Sequence, residues 1–490
     1  MEPREFFIED RLERYRLHAF CNMGESGLSH FTMEEMLTLA NLTWKDLSPI
    51  PMYDAPNQGS FELRCSIANL YPGVSPEEVL VTTGTGEALF LAFHLLVKPK
   101  TKLALIWPAF QALYEIPKML GGEVIQVPYE NAFLANTWEK VHADLYVINH
   151  PHNPTGQTHS LAEWDKLLTF FRSQKKTILF DEHYRFLPKG GGLGRTGVCP
   201  EDRFYGTGSF TKCFGVTGLR VGWLIADKDF IRRARSFKDY LTHTVNPISE
   251  RIAQGLLSQK ERFLPEIQKR VQNNIDTFTS VWQTLPMSLS FTPPEGGLVG
   301  WLQLKPGIRS EGYADRLYQR TGVFVLPGSN FEMEGFLRIG FGAKEDVFLK
   351  GLKRWIECTD LNLKKSLQLF PGIGEKKEKQ LLGVGVYDWQ TLIQYQKKAN
   401  DPLLPNVSIL EERWEELERE FQEANFSFFT KELPSLEYWR LWQHFPERFC
   451  FLDIETTGIS ESSVTTVVSL FQDETIRTFE RGKDLEFLLM

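Results

Sequence analysis

The sequence has 490 residues, of which 42% are apolar and 24% are charged, and its formal net charge is -8 at pH 7. This length predicts roughly three domains, and the composition is that of a globular protein that folds in water. The acidic excess is carried by the part of the chain after residue 358, which argues against a broad electrostatic grip on nucleic acid.

The N-terminus and the cysteines indicate a cellular location. Residues 1–5 are charged and lack the apolar core of a signal peptide, and no apolar run reaches the roughly 18 residues that a membrane helix needs. The six cysteines (Cys21, Cys65, Cys199, Cys213, Cys358, Cys450) show no CxxC pair and no metal-ligand spacing. We therefore expect a cytoplasmic protein with reduced thiols and no membrane contact.

Short apolar runs alternate with helical segments between residues 75 and 230. The runs at 79–81, 103–106, 145–148 and 178–180 predict buried strands, and the segments 86–97, 110–120 and 160–173 predict helices between them. This alternation is typical of an α/β fold with a mostly parallel sheet. One long helix is expected from 247 to 282, and residues 297–358 predict a smaller α+β domain.

The sequence changes character at about residue 359. Residues 363–397 predict short helices around the turn at 371–374, and residues 399–409 predict a polar linker that contains prolines. A glutamate-rich helix is expected over 410–424, and strand-like runs return between 450 and 480. This pattern indicates a separate C-terminal region.

Lys212 stands in the string Ser209-Phe210-Thr211-Lys212, and Arg220 follows eight residues later. A lysine amine forms a Schiff base with an aldehyde, while hydroxyl and guanidinium groups bind a phosphate. Pyridoxal 5'-phosphate (PLP) requires both functions. Taken alone, this string could equally be a loop with a solvated lysine. The PLP interpretation therefore depends on the other motifs.

Three further segments supply groups that suit the same cofactor. Thr85 and Gly86 follow a strand and open a helix, where backbone N–H groups suit a phosphate. Phe110 lies just after a strand and could stack on a pyridine ring. Asn153 begins an Asn-Pro-Thr-Gly turn and could donate to the phenolic oxygen. Each segment also has an ordinary explanation when taken alone. Thr85 and Gly86 can form a plain strand–helix turn, Phe110 can be a core residue, and the segment at Asn153 can be a plain turn.

Two strands end in, or contain, polar groups that suit the ring and the substrate. A carboxylate at Asp181 could keep the pyridine nitrogen protonated, so that the ring acts as an electron sink, and Tyr184 could bond the phenolic oxygen. Lys212 would then also act as the general base. Arg338 lies in a late apolar strand, where an arginine needs a partner such as a substrate carboxylate.

The order of these motifs resembles that of the class I and II aminotransferases, which are fold-type I PLP enzymes, over roughly residues 20–358. The resemblance implies an N-terminal segment (1–45) that joins the small domain, a PLP-binding large domain (46–250) with a mostly parallel sheet, and a small α+β domain (251–358). It assigns Thr85, Gly86, Ser209 and Arg220 to the phosphate, Phe110 to ring stacking, and Asn153, Asp181, Tyr184 and Lys212 to the rest of the cofactor.

The same resemblance implies a homodimer with active sites at the subunit interface. Tyr53 would correspond to the tyrosine that reaches the partner subunit's phosphate, although its spacing to Gly59 is one residue longer than in the family. Ser26 and Gly27 could line the substrate pocket, and a helix cap is the other interpretation of that pair.

The C-terminal region resembles the start of a nuclease. The turn Pro371–Gly374 resembles a helix-hairpin-helix, expected over 359–408, with a plain turn as the alternative. Asp453 and Glu455 alternate along a predicted strand and could bind Mg²⁺ or Mn²⁺, as in the first motif of DEDD exonucleases with a ribonuclease-H-like fold, expected over 409–490. Because the later acidic motifs have no room before Met490, we expect a truncated remnant or a fragment of a longer product, which could bind nucleic acid only through this region.

The motifs together predict a PLP-dependent aminotransferase that moves an amino group between an amino acid and a 2-oxo acid, with Lys212 as the Schiff-base lysine and proton carrier. Two alternatives stay open at this point. The same cofactor residues support other PLP chemistry, such as lyase, decarboxylase or cyclase reactions. The chain could also be a 3'-5' exonuclease in which the PLP domain is an accessory.

Overall fold

The chain divides into two compact units, Met1–Ile356 and Glu357–Met490. The computed structural model describes residues 4–285, 287–359, 363–441, 445, 448, 451–456, 465–472 and 475–480. No helix in the described part of the chain is long and apolar enough to cross a membrane. The domain boundaries predicted within each unit stay predictions.

A seven-stranded sheet lies at the centre of the first unit. The strands of this unit are β1 (Cys21–Asn22), β2 (Val79–Thr82), β3 (Lys102–Trp107), β4 (Glu123–Pro128), β5 (Leu145–Asn149), β6 (Thr177–Asp181), β7 (Phe204–Ser209), β8 (Gly222–Ile225), β9 (Ser288–Thr292), β10 (Val299–Leu304), β11 (Val323–Phe324), β12 (Leu326–Pro327) and β13 (Phe336–Gly340). The central order is β2-β8-β7-β6-β5-β3-β4, and only β8 runs antiparallel to its neighbours. The predicted α/β fold with a mostly parallel sheet is confirmed.

Helices cover both faces of this sheet and also pack on the smaller sheets. They are α1 (Phe7–Tyr15), α2 (Met33–Ala40), α3 (Trp44–Leu47), α4 (Phe61–Ala68), α5 (Thr85–Leu96), α6 (Ala112–Met119), α7 (Tyr129–Ala132), α8 (Ala135–Glu139), α9 (Leu161–Ser173), α10 (Lys228–Lys238), α11 (Pro247–Ser258), α12 (Lys260–Val281), α13 (Ser310–Thr321) and α14 (Glu345–Thr359). Short 3-10 turns lie at Pro76–Glu78, Pro200–Asp202, Thr217–Leu219, Trp282–Thr284 and Gly328–Phe331.

The two apolar layers are visible in the strand residues themselves. In β6, Ile178 and Phe180 belong to one apolar cluster, whereas Leu179 belongs to another. Because successive side chains of a strand point to opposite faces, the sheet is buried on both sides. That burial explains why these strands are continuous apolar runs rather than alternating ones.

The N-terminal segment packs on the elements that follow residue 298. Strand β1 pairs in parallel with β11, and Ile8 and Leu12 of α1 share an apolar cluster with Trp301 and Phe324. A four-stranded antiparallel sheet, in the order β12-β13-β10-β9, forms the second sheet of this region. The N-terminus is therefore tied to residues more than 300 positions away, such as Phe324.

The single helix predicted from 247 to 282 is wrong at one point. The structure has two helices, α11 and α12, that meet at Gln259, whose backbone angles (φ -104°, ψ 2°) leave the helical region. A new turn starts there, because the N–H of Arg262 donates to the carbonyl of Gln259 at 2.9 Å. Neither glycine nor proline marks the junction, and apolar residues continue at helical spacing across it, so the sequence pattern does not reveal the break.

The second unit combines a helical part with a three-stranded antiparallel sheet. Its helices are α15 (Glu375–Gly383), α16 (Trp389–Ala399), α17 (Val407–Gln422) and α18 (Phe426–Glu432), with 3-10 turns at Leu363–Lys365, Leu367–Leu369 and Ser435–Arg440, and its strands are β14 (Phe451–Thr456), β15 (Thr465–Gln472) and β16 (Thr475–Glu480). The segment expected to be a linker is held in place, since the Gln396 amide donates to the carbonyls of Asp401 and Pro405 at 3.0 and 3.1 Å.

Candidate active site

Polar residues end three neighbouring strands at one edge of the central sheet. Asn149 ends β5, Asp181 ends β6 and Ser209 ends β7. The three strands are parallel, and Asn149 lies opposite Asp181 in the register. In open α/β sheets the carboxyl ends of the strands are where ligands bind. This edge is therefore where a site is expected, and most of the candidate residues lie there.

Asp181 is fixed by three neighbours. It is 1% exposed, its Oδ1 accepts from the Thr207 hydroxyl at 3.0 Å, and its Oδ2 accepts from the Asn149 amide at 3.1 Å. Nδ1 of His183 lies 3.0 Å from the same Oδ2. A buried carboxylate is tolerated only when it is hydrogen-bonded in this way. These bonds orient the carboxylate at the strand end.

The next residue, Glu182, shows the contrasting case of a buried carboxyl used for structure. Its Oε1 accepts from the N–H of Gly197 at 2.8 Å and from the Thr196 hydroxyl at 2.9 Å, so it fixes that loop. Burial raises the pKa of Glu182 to about 7, although the nearby Arg185 acts in the opposite direction. Two adjacent acidic residues thus make separate contacts, because successive side chains of an extended chain point to opposite sides.

Lys212 and Tyr184 both bind Ser26. The Lys212 amine donates to Oγ of Ser26 at 2.9 Å, and the Tyr184 hydroxyl donates to the Ser26 carbonyl at 2.9 Å. Burial lowers the pKa of Lys212, because the charged ammonium loses water contacts. A lysine with a lowered pKa is more often neutral, which is the form that acts as nucleophile or base.

A concave backbone surface lies at the start of helix α5. Gly84 has φ +80°, and a Cβ placed on it would lie 2.7 Å from Nη2 of Arg220. A Cβ on Gly222 would lie 2.5 Å from the carbonyl carbon of Gly84, so both positions require glycine. Arg220 itself is in the left-handed region with φ +53°, a conformation that is unfavourable for a residue with a side chain. A helix N-terminus beside a guanidinium suits a phosphate.

Arg338 is completely buried in β13. Its Nη1 donates to Oδ1 of Asn153 at 3.0 Å and its Nη2 donates to the carbonyl of Gly24 at 2.6 Å. Its Nε is buried and has no hydrogen-bond partner among the described residues. A buried guanidinium that is bonded only to neutral groups keeps a full positive charge to offer to an anion.

A chain of hydrogen bonds joins Arg338 to Asp181. The backbone N–H of Asn153, which bonds Arg338, donates to Oδ1 of Asn149 at 2.6 Å, and Asn149 bonds Asp181. The structure thus brings the two ends of the predicted site together through Asn149. That residue was not singled out from the sequence, although its position at the end of an apolar strand, like that of Asp181, was a usable signal.

The remaining predicted residues occupy separate positions. The ring of Phe110 packs on Phe6 with centroids 5.4 Å apart, and Oγ of Ser209 lies 2.7 Å from Oγ1 of Thr211. Oγ1 of Thr85 is buried without a hydrogen-bond partner in the described part of the chain. Tyr53 is 61% exposed. The roles assigned to these residues stay predictions.

The residues of this site have the chemical groups that PLP binding requires. An unpartnered buried hydroxyl (Thr85) and a glycine cradle beside Arg220 suit the phosphate, a lysine of lowered pKa (Lys212) suits the aldehyde, and an oriented carboxylate (Asp181) suits the ring nitrogen. The model of the family "Aminotransferase class I and II" matches residues 54–352. The chain belongs to this family.

Relatives and solved structures agree with this assignment. The chain is 27% identical over 356 residues to capreomycidine synthase of Streptomyces vinaceus, covering 70% of this chain and 91% of the relative. It is 27% identical over 328 residues to an aspartate aminotransferase of Sulfurisphaera tokodaii, covering 62% of this chain and 81% of the relative.

Among solved structures, a PLP-dependent aminotransferase from Streptococcus suis superimposes with a TM-score of 0.66 at 24% identity, covering 73% of this chain and 98% of the other. The PLP-dependent cyclase OrfR does so with a TM-score of 0.68 at 21% identity and the same coverage. The predicted fold-type I aminotransferase with PLP as its cofactor is confirmed. The family match ends at residue 352 and says nothing about the second unit.

The predicted metal ligands of the second unit lie on β14. Asp453 is opposite Ser469 and Glu455 is opposite Val467 in the antiparallel pairing with β15. Their side chains, and residues 457–464 and 481–490, lie outside what the structure describes.

Proposed function

We propose that the protein transfers the amino group of an amino acid to a 2-oxo acid at the site between Lys212, Asp181 and Arg338. The observation that carries this proposal is the continuous hydrogen-bonded connection from Arg338 through Asn153 and Asn149 to Asp181. It sets a carboxylate-binding guanidinium at a fixed position relative to the carboxylate that faces the cofactor ring. Such fixed geometry is what positions a substrate for reaction.

The residues that would hold the cofactor follow from the site. The phosphate would be bound by the N–H groups of Thr85 and Gly86, the Ser209 hydroxyl and Arg220. Asp181 would bind the ring nitrogen, Asn153 the phenolic oxygen and Lys212 the aldehyde, with Phe110 against the ring. Tyr184 would donate to the phenolic oxygen in place of the Ser26 carbonyl that its hydroxyl binds in this structure. When bound, PLP supplies an electron sink for the bonds at the α-carbon of the substrate. The role of the chain is to bind, to orient and to move protons.

Proton movement falls to Lys212. Its Nζ would take the proton from the α-carbon, and its lowered pKa favours the neutral amine that this step requires. The Ser26 hydroxyl, 2.9 Å away, would hold Nζ in place during the step. Asp181 would keep a proton on the ring nitrogen, and Arg338 would hold the α-carboxylate through two parallel N–H donors.

The test is an amino-transfer assay with purified protein and PLP. The protein is incubated with single amino acids and 2-oxoglutarate, and both the new 2-oxo acid and glutamate are measured. We expect equal amounts of the two products from at least one amino acid, and loss of both in Lys212→Ala. If no amino acid yields its 2-oxo acid while PLP is bound, the proposal is wrong.

A second candidate is a reaction that keeps the amino group on the substrate, such as a cyclisation. It is favoured by the similarity to a capreomycidine synthase and to a PLP-dependent cyclase. The same assay separates the two, because cyclisation consumes the amino acid without forming glutamate from 2-oxoglutarate. Mass spectrometry of the remaining amino acid would detect the product.

We propose that the working form is a homodimer. Support comes from large apolar side chains that are exposed in the single chain, among them Trp44, Met52, Tyr53, Phe61 and Tyr240. Large exposed apolar side chains mark an interaction site where they lie together on the surface. Sedimentation should give a dimer that carries the activity, and an active monomer would contradict the proposal.

For the second unit we propose a nuclease-like region without activity of its own. Support comes from the turn Pro371–Gly374, in which Gly372 has φ +75° and Gly374 caps helix α15, and from Asp453 and Glu455 two positions apart in β14. Within the described strands β14 and β15, Asp453 and Glu455 are the only carboxylates, and two are fewer than a two-metal site requires. Degradation of single-stranded DNA that depends on Mg²⁺ or Mn²⁺ and is lost in Asp453→Ala would contradict this.

A further inference from the structure

We propose that the site selects amino acids with a cationic side chain, and that Glu25 is the residue that determines this specificity. The inference rests on the proposed function, because it assumes that the substrate's α-carboxylate lies at Arg338. The expected substrate is an amino acid whose side chain carries a guanidinium or ammonium group, because the negative charge of Glu25 has no cationic partner among the described residues.

Glu25 lies between the two residues that contact the reactive groups. The carbonyl of Gly24 accepts from Nη2 of Arg338 at 2.6 Å, and Oγ of Ser26 accepts from Nζ of Lys212 at 2.9 Å. The segment is part of the site itself, although it lies far from both partners in the sequence.

The backbone of this segment is held firmly. Oδ1 of Asn22 accepts from the N–H groups of Gly24 and Glu25 at 3.1 and 3.0 Å. On the other side, a Cβ on Gly340 would lie 2.0 Å from the carbonyl oxygen of Glu25, so strand β13 approaches it as closely as a glycine allows. Glu25 is therefore a fixed element of the site and not part of a loose terminus.

One residue, Ser26, joins the Glu25 carboxylate to Lys212, because its N–H donates to Oε1 of Glu25 and its Oγ accepts from Nζ of Lys212. Burial lowers the pKa of Lys212 and that of Arg338, and the charge of Glu25 opposes this lowering in both groups. Glu25 is partly buried, and its Oε1 accepts only the N–H of Ser26, at 3.3 Å. Among the described residues it has no cationic partner at ion-pair distance. Glu9, the second carboxylate that acts on both groups, differs because Arg16 pairs with it at 3.0 Å.

Substrate binding changes the balance of charge. The α-carboxylate neutralises Arg338, and the reaction requires the Lys212 amine to be neutral. The negative charge of Glu25 then has no compensation within the described chain, and a partly buried charge without a partner is unfavourable. A positive group on the substrate side chain restores the balance, and a guanidinium can bond both carboxylate oxygens. An acidic side chain would be repelled.

The test compares side chains of equal length that differ in charge. Binding of δ-guanidinovalerate and of neutral δ-ureidovalerate, which lack the amino group and cannot react, is measured by calorimetry on the PLP-loaded protein. Amino transfer from L-arginine, L-ornithine, L-citrulline and L-aspartate is measured in parallel. We expect the guanidino compound to bind roughly 10- to 100-fold more tightly than the ureido compound, as for a charge pair that is partly screened by water.

Variants assign this preference to Glu25. In Glu25→Gln the preference should fall to within about 3-fold, whereas Glu13→Gln, which removes the same charge from an exposed position (79%) on α1, should keep it. Equal binding of the two compounds by the unaltered protein overturns the proposal without any variant. An unchanged preference in Glu25→Gln overturns the role of Glu25.

The outcomes separate this inference from the function on which it rests. If neutral amino acids transfer their amino group as well as L-arginine does, the proposed function stands and the inference is wrong. If no amino acid transfers its amino group, but the guanidino compound binds in a way that depends on Glu25, the site binds cations and the proposed function is wrong.

Discussion

The Ser26 hydroxyl accepts a hydrogen bond from the Lys212 amine at 2.9 Å, across 186 positions of the chain. The carbonyl of the same residue accepts from the Tyr184 hydroxyl at 2.9 Å. One residue of the N-terminal segment therefore binds two side chains from the loops that follow β6 and β7. These two contacts bring the N-terminal segment to the candidate active site.

Replacing Ser26 should slow the reaction without loosening the cofactor. In Ser26→Ala, Nζ of Lys212 loses its acceptor, and a hydrogen bond to a charged group contributes about 1.5–3 kcal/mol. We expect kcat to fall by roughly 10- to 100-fold and PLP affinity to stay within about 3-fold, measured by steady-state kinetics and by absorbance titration. Ser236→Ala, on the exposed face of α10, is the matched control. A Ser26→Ala enzyme with normal kcat would show that the contact has no role in the proton step.

We expect Gly84 to be required for PLP binding as well as for the backbone conformation at its position. Gly84 and Gly73 have similar positive φ angles, +80° and +78°, so alanine strains the backbone at both positions. A Cβ at Gly84 meets Arg220, whereas one at Gly73 meets nothing within 4 Å. Gly84→Ala should therefore weaken PLP binding by at least about 10-fold, and Gly73→Ala should leave it unchanged, by equilibrium titration. Equal effects would exclude the cradle as the phosphate site.

Asp181→Asn should retain PLP but lose most of the turnover. The amide cannot keep the ring nitrogen protonated. Thr207 and Asn149 both donate to the Asp181 carboxylate, so the N–H₂ group of asparagine would face another donor instead of an acceptor. We expect kcat to fall by several orders of magnitude in single-turnover experiments. Thr207→Val, which removes one donor but keeps the carboxylate, should have a much smaller effect. Near-normal turnover of Asp181→Asn would remove Asp181 from the mechanism.

Three buried histidines should make the fold sensitive to acid. Burial lowers the pKa of His152 to about 3, that of His159 to about 4, and that of His150 well below 6.5. The folded protein keeps them neutral, while the unfolded chain binds protons near pH 6.5. Their contribution to stability is fully present above pH 6.5 and is lost as the pH falls towards 4, by at most about 1.4 kcal/mol per pH unit for each histidine.

His159→Phe should reduce this loss. Phenylalanine cannot bind the proton, and it can pack on Phe133, which lies 5.2 Å from the His159 ring. The difference in the free energy of unfolding between pH 6.5 and 5, from urea titrations, should be smaller than in the unaltered protein. Burial raises the pKa of Glu182 to about 7, so this residue has the opposite effect on the free energy of unfolding. The effect is the same in both proteins at equal pH, and it therefore cancels in the comparison. His142→Phe, at an exposed position, should keep the full loss; an unchanged loss in His159→Phe would contradict the account.

Much of the central sheet could be predicted because burial on both faces leaves a clear pattern. The strands around Ile178 and Val147 are uninterrupted apolar runs, and the polar residues Asp181 and Asn149 end them. The junction at Gln259 could not be predicted, since apolar periodicity continues through it. Local patterns therefore identify elements well, but they do not reveal a break that lacks a glycine or proline.

The site could be predicted only where its residues lie within strands or shortly after them. Lys212, Asp181 and Arg338 stand in recognisable local strings, whereas the positions of Ser26 and Glu25 depend on how the N-terminal segment pairs with β11 and approaches Gly340. That arrangement is a property of tertiary contacts between distant residues. No spacing along the chain encodes it, so Ser26 was assigned only to the pocket and Glu25 was missed.

The central claim is that Lys212 is the residue that binds PLP covalently. The purified protein is incubated with PLP, reduced with borohydride, digested and analysed by mass spectrometry, with Lys238→Ala, which removes another lysine with a lowered pKa, as the control. We expect the pyridoxyl group on Lys212 in the unaltered protein and in Lys238→Ala, and no specific label in Lys212→Ala. A label on another lysine, or visible absorbance and activity that survive in Lys212→Ala, would contradict the account.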